Sequence, residues 1–324
     1  LMVLTVGGLL VLAPEELTIG RFAALQLGSW TVTAVLLVWV VRDRLPRKLP
    51  KFRKAPMLAL LRGGAPFALA IFLATAYTRL DAVMIERLLP AGDVAADHYA
   101  AGYRLLDAMN TIGWLLAGLL IPMYARLRAK REPIQPLLRF SGQLLLAGSA
   151  CAAIPLAFYA WPVTDLLYDF ADVRTGNILC FLSLTFMAQS FNYAYGSLLS
   201  ATGYIGRMNR IYALGIVLNL GGNWLVLPTY GAAGAAAVTL LTQTFIALTQ
   251  ALLAHRWLSL PGGVIDWGRI LILLALLGTC GRALIYLEVH YIPGLLALGF
   301  GGLAFATVLK LIDWKAVRKL GDKS

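Results

Sequence analysis

Residues 211–254 run for 44 positions without one Asp, Glu, Lys or Arg, and shorter uncharged runs occupy 22–41, 140–164 and 175–206. About 20 mostly apolar residues in a helix suffice to cross the hydrocarbon of a bilayer. The run 211–254 is too long for one crossing and is broken by Pro228, Thr229, Tyr230 and Gly231, so it reads as two. Composition agrees: 60% of residues are hydrophobic and only 14% charged, against roughly 25% charged in soluble domains. A membrane β-barrel needs alternating segments of about ten residues, and these runs are longer and uniformly apolar. The fold class is an all-α polytopic membrane protein.

Ten spans are expected, at 1–13, 18–41, 64–89, 97–124, 140–162, 176–200, 209–228, 231–254, 267–287 and 291–312. Alternate connections are basic. Residues 42–62 hold eight Lys or Arg against one acid, Asp43, and 126–139 hold five. Arg207, Arg210, Arg256, Arg269 and the tail from Lys310 lie on the same side, which collects 22 of the 28 basic residues. The intervening connections are acidic or neutral. Basic loops stay in the cytoplasm, so both ends of this chain are expected there, and the net charge of +12 needs no nucleic acid. Residues 42–62 read as a topogenic linker whose second half can rest on anionic lipid headgroups. The chain opens on Leu1 with no basic leader and reads as a fragment that begins inside a helix.

The charges in "TAYTRLDAVMIERLL", 75–89, demand shielding. Arg79 sits ten residues in from Leu89, roughly 15 Å at 1.5 Å per residue, and Arg104 lies at a similar depth in the next span. A charge at that depth faces a cavity or a partner, because facing lipid costs at least about 2.5 kcal/mol. At 100° per residue Arg79 and Glu86 share a face while Asp81 points about 200° away. Arg79 and Asp81 therefore do not share one lumen, and Asp81 with Arg104 is a candidate interhelical pair. Arg104 shares its face with Asp107 and Thr111. Asp81 and Asp107 read as an ion-coupling or interhelical pair set, and Glu86 and Arg87 as interfacial. Asn219 and Asn223, four apart, suit hydrogen bonding between membrane helices. Gln189, Asn192, Tyr193 and Tyr195 cluster in one span, as sugar contacts or as packing. Cys151, Cys180 and Cys280 read as packing residues. His255 and His290 have no neighbours that suggest a metal, and no metal or cofactor is expected.

Two stretches carry a family likeness. The first, 62–127, has an apolar helix ending in Arg-x-Asp (Arg79, Asp81), an outer turn, then "YAAGYRLLD" (99–107) and "IPMYARL" (121–127). The second, 196–243, has a polar turn, an Asn-bearing helix, a Pro-x-Tyr-Gly turn and a Gly/Ala-rich helix. Together they resemble bacterial polysaccharide and O-antigen exporters of the multidrug/oligosaccharidyl-lipid/polysaccharide exporter superfamily. The resemblance implies two six-helix lobes around a central cavity in the inner membrane. It makes 1–41 the last two helices of a first lobe lacking four helices, 42–63 the linker, 64–254 the second lobe, and 255–324 two added helices with a basic tail.

The same resemblance implies the function: flipping a polyprenyl-diphosphate-linked oligosaccharide by alternating access, with membrane lipids and other polysaccharide-assembly proteins as partners. Arg79 and Arg104 would then hold the diphosphate, since guanidinium binds phosphate oxygens bidentately, and Asn192 and Tyr195 would touch sugar. The competing reading of the arginines is a salt bridge holding the hairpin. A cation-coupled drug exporter needs instead a buried acid without a cationic partner, and a non-transporting scaffold needs neither. An enzyme is not expected, because the longest outer connection, 163–175, offers Asp165, Asp169 and Asp172 without His or a nucleophile pattern.

Overall fold

The computed structural model describes residues 19–42 and 54–312, and no strand occurs among them. The expected span 1–13, residues 43–53 of the linker and the tail beyond residue 312 lie outside the described residues. The chain divides into two compact units, 1–61 and 62–324. The described part of the first centres on helix α1, Ile19–Val41, whose Trp30, Leu37 and Trp39 are exposed, as suits a surface solvated by lipid.

Helix α2 spans Lys54–Leu88. It begins ten residues before the expected span, because "KAPMLALLR" is rich in strong helix formers and its only obstacle, Pro56, sits in the first turn. Helix α3 spans Gly92–Lys130. It ends where Arg131 turns left-handed (φ 56°), the Arg131 N–H donating to the Arg128 carbonyl and the Glu132 N–H to that of Leu127, with Pro133 forbidding continuation. Helix α4, Gln135–Phe158, is followed by the short α5, Ala160–Leu167.

Helix α6 spans Val173–Ala201 and opens on a capping box, Asp172 receiving the N–H groups of Arg174 and Thr175. Helix α7 spans Ile205–Trp257 but is broken at Gly231, whose φ of 58° and ψ of −151° are tolerated essentially only by glycine. Helix α8, Trp267–Tyr286, and α9, Tyr291–Val308, complete the second unit.

Helix α6 is the hub. It packs on α3, α4, α5 and α7, while α8 and α9 pack on α4 and on each other. Its apolar side chains Ile178, Leu182, Leu198 and Leu199 are fully buried, and so are its polar Ser183 and Thr185, which bond back to the carbonyls of Leu179 and Phe181. A helix ringed by protein need not be oily all round.

That property explains one part of the difference in span count. Seven helices among the described residues are long and apolar enough to cross a membrane, against the ten expected. Helix α6 is not one of them, because its Asn, Gln, Ser and Thr content lowers its mean hydropathy. The expected spans 209–228 and 231–254 fall within the single assignment Ile205–Trp257, and span 1–13 lies outside the described residues. The chain is an α-helical, multi-pass membrane protein. Of the three cysteines Cys151 is buried and Cys180 partly so, but Cys280 is exposed and is not the packing residue expected.

Candidate functional site

A cavity of about 550 Å³ lies within the second unit, walled by α2, α3, α6 and α7. Arg79 from α2 and Asp107 from α3 line it and form an ion pair, Nη2 to Oδ2 at 2.8 Å, with side chains 58% and 46% exposed. The Arg79 guanidinium also lies over the Tyr103 ring, 5.0 Å from its centre, an arrangement that attracts cation to ring face. The opposite wall is polar and aromatic. Gln189, Asn192 and Tyr193 of α6 face Asn110 and Trp114 of α3, and the Tyr193 hydroxyl donates to Asn110 Oδ1 at 3.3 Å. Gly113 lets that ring approach, because a Cβ there would lie 2.4 Å from it. Gln189 is buried, and its Oε1 has no hydrogen-bond partner among the described residues.

Asp81 occupies a second, closed site. It is fully buried. Its Oδ2 accepts from the Tyr99 hydroxyl at 2.8 Å and from the Thr239 hydroxyl, and its Oδ1 accepts from Asn223 Nδ2 at 2.7 Å. Asn223 bonds in turn to Asn219 Oδ1 at 3.3 Å. Both halves of α7 and the start of α3 thus converge on one carboxylate of α2. Tyr99 packs on Tyr103, ring centres 5.5 Å apart and planes tilted by 41°, so the two sites are joined through these rings: Arg79 on Tyr103, Tyr103 on Tyr99, Tyr99 bonded to Asp81.

The expected opposition of Arg79 and Asp81 is present, one on the cavity and the other sealed. The expected pairing of Asp81 with Arg104 is not. Arg104, within one turn of Asp107, is exposed and does not line the cavity. Asp81 meets neutral donors in its place. Asp107 is the interhelical partner of Arg79. Asn192 lies on the cavity and Tyr195 does not. Tyr195 is buried edge-on to Phe191 at 4.9 Å, its hydroxyl 3.1 Å from His255 Nε2.

Tyr99, Tyr103, Asn110, Trp114 and Thr239 were not singled out from sequence. The i,i+4 spacing of Tyr99 and Tyr103 opposite Arg79 and Asp81 was a usable signal. Thr239, in a Gly/Ala/Val-rich helix, offered none until its neighbour was known. Among the described residues no group of His, Cys, Asp and Glu is placed to hold a metal ion. No model of a known protein family matches this chain, and no curated protein matches it.

Proposed function

We propose that the protein translocates a polyprenyl-diphosphate-linked oligosaccharide across the membrane by alternating access, as a member of the exporter superfamily its sequence resembles. One observation carries the reading: a half-exposed arginine, Arg79, on the wall of a 550 Å³ cavity inside a helical membrane bundle. A charge kept at that depth is functional by default in a bilayer. The Asp107 carboxylate holds the guanidinium in place until a diphosphate, which carries more charge and can bind it bidentately, displaces it. Amide and aromatic side chains on the facing wall suit sugar hydroxyls and ring faces. Asn192 keeps its proposed role as a sugar contact, whereas Arg104 and Tyr195 are dropped from the substrate set.

In vesicles carrying a fluorescent polyprenyl-diphosphate glycan, the wild-type chain is expected to move label between leaflets. Arg79→Ala is expected to lose that activity at least tenfold while inserting and folding normally. Unchanged transport by that variant would sink the assignment.

A second reading, a cation-coupled multidrug exporter, is favoured by Asp81, a fully buried carboxylate whose partners among the described residues are all neutral. Gradient-dependent efflux of a cationic dye from loaded vesicles, with no glycan-lipid movement, would select it. The same carboxylate fits the first reading as the group that couples transport to a cation gradient.

A further inference from the structure

A second cavity, of about 510 Å³, lies where the start of α4, the turn ahead of α8 and the end of α9 meet. This is the face that carries the basic connections. Among the described residues its charged lining residues are Arg139 and Lys310, and no acidic side chain lines it. Arg139 spends two of its five N–H donors on the carbonyls of Val264 and Gly263, at 3.0 and 3.3 Å, which leaves three for a ligand. Those two bonds also fix the guanidinium plane against the wall. Asp266, just beyond this turn, is already engaged, pairing with Arg269 at 3.0 Å and capping α8.

Two further observations point to an anion. Gln135 and Pro136, the first residues of the 24-residue helix α4, line the cavity. No side chain caps that helix, whose first internal bond runs from Leu138 N–H to the Ile134 carbonyl. The N–H groups ahead of Leu138 are open, at the positive end of the helix dipole. Independently, Gln143, eight residues further along α4 and so about 12 Å deeper, lines the same cavity, is 92% buried and makes no hydrogen bond among the described residues. A largely buried side chain whose amide meets no protein partner, in a cavity lined by two cations, offers its N–H groups to an acceptor bound there.

We infer that this cavity binds a phosphate group, held by Lys310, the free donors of Arg139 and the Gln143 amide, with the start of α4 contributing the field of its dipole. At the headgroup level of a bilayer the available source is an anionic phospholipid, and soluble phosphate has the same chemistry. The site is separate from the Arg79 cavity and does not depend on what that cavity carries.

The test uses the purified full chain in a neutral detergent. Short-chain phosphatidic acid, short-chain phosphatidylcholine and inorganic phosphate are titrated separately, and thermal unfolding is read. Phosphatidic acid is expected to raise Tm saturably, and phosphatidylcholine to leave it unchanged. Gln143→Leu and Lys310→Gln are each expected to weaken phosphatidic acid binding roughly tenfold, the loss of one charge-assisted hydrogen bond. Neither variant removes a bond that holds the turn, unlike Arg139, so their folding is preserved. A matching shift with inorganic phosphate supports the site with a soluble source; a shift with phosphatidic acid alone supports a lipid. Equal response to phosphatidylcholine, identical binding by wild type and both variants, or no shift with either phosphate compound overturns the inference.

Discussion

Arg79 and Asp81 are two residues apart and do opposite things. The Arg79–Asp107 pair is about half exposed, so screening leaves it worth at most about 1 kcal/mol. Asp81 accepts hydrogen bonds from Tyr99, Thr239 and Asn223, all buried. Interhelical hydrogen bonds in a bilayer average about 0.6 kcal/mol, and abandoned buried donors cost more. Asp81→Ala is therefore expected to lower unfolding stability by about 2–4 kcal/mol, and Arg79→Ala by less than about 1 kcal/mol, in detergent unfolding curves. Equal losses would mean that the two sites are not distinct. Helical angles in the sequence were enough to put the two charges on different faces. They were not enough to name their partners. Arg104 and Asp107 lie within one turn of α3, and which of them faces α2 depends on how the helices rotate against each other.

At the scale of elements, α6 decides the architecture. Its entry is fixed by Asp172, whose carboxyl is kept below its usual range. Its partial desolvation opposes this, but the N–H groups of Thr175 and Arg174 outweigh it, helped by His98 and Arg174. Because the folded value is depressed, the stabilisation is full above the unfolded value of about 3.9 and is lost as pH falls through the folded one. Asp172→Ala is expected to cost about 0.5–2 kcal/mol at neutral pH, the range for a lost N-cap. The gap to wild type should close in strongly acidic buffer, as followed by helical circular dichroism. A gap that persists there would mean the cap is not the cause. The break in α7 was legible from Pro228-Thr-Tyr-Gly231, since proline removes a donor and glycine supplies the positive φ. The early start of α2 was less so, because basic residues mark a loop by topology while Leu and Ala mark a helix by propensity. Propensity prevails from Lys54 onward.

For the whole molecule, the uncharged runs were sufficient to read the membrane class, because the bilayer demands helices of a given length and composition. The cavity was not legible. It is bounded by side chains from four helices spread over residues 67–243, and only packing brings them together. Helix α2 packs Ala70 and Ile85 into the core and is also tied to its neighbours by long polar reaches: Arg79 to Asp107, Asp81 to α3 and α7, and Asn209 Nδ2 to the Pro66 carbonyl at 3.0 Å.

The central claim is that this cavity receives a diphosphate at Arg79. The direct measurement is equilibrium binding to the purified chain of two glycolipids that differ only in their link, polyprenyl diphosphate or polyprenyl ether. The account predicts that the diphosphate form binds at least about tenfold more tightly and that Arg79→Ala erases the difference, as expected for losing a bidentate charged contact. Equal affinity for the two lipids in the wild type, or a preference that survives in Arg79→Ala, would contradict it.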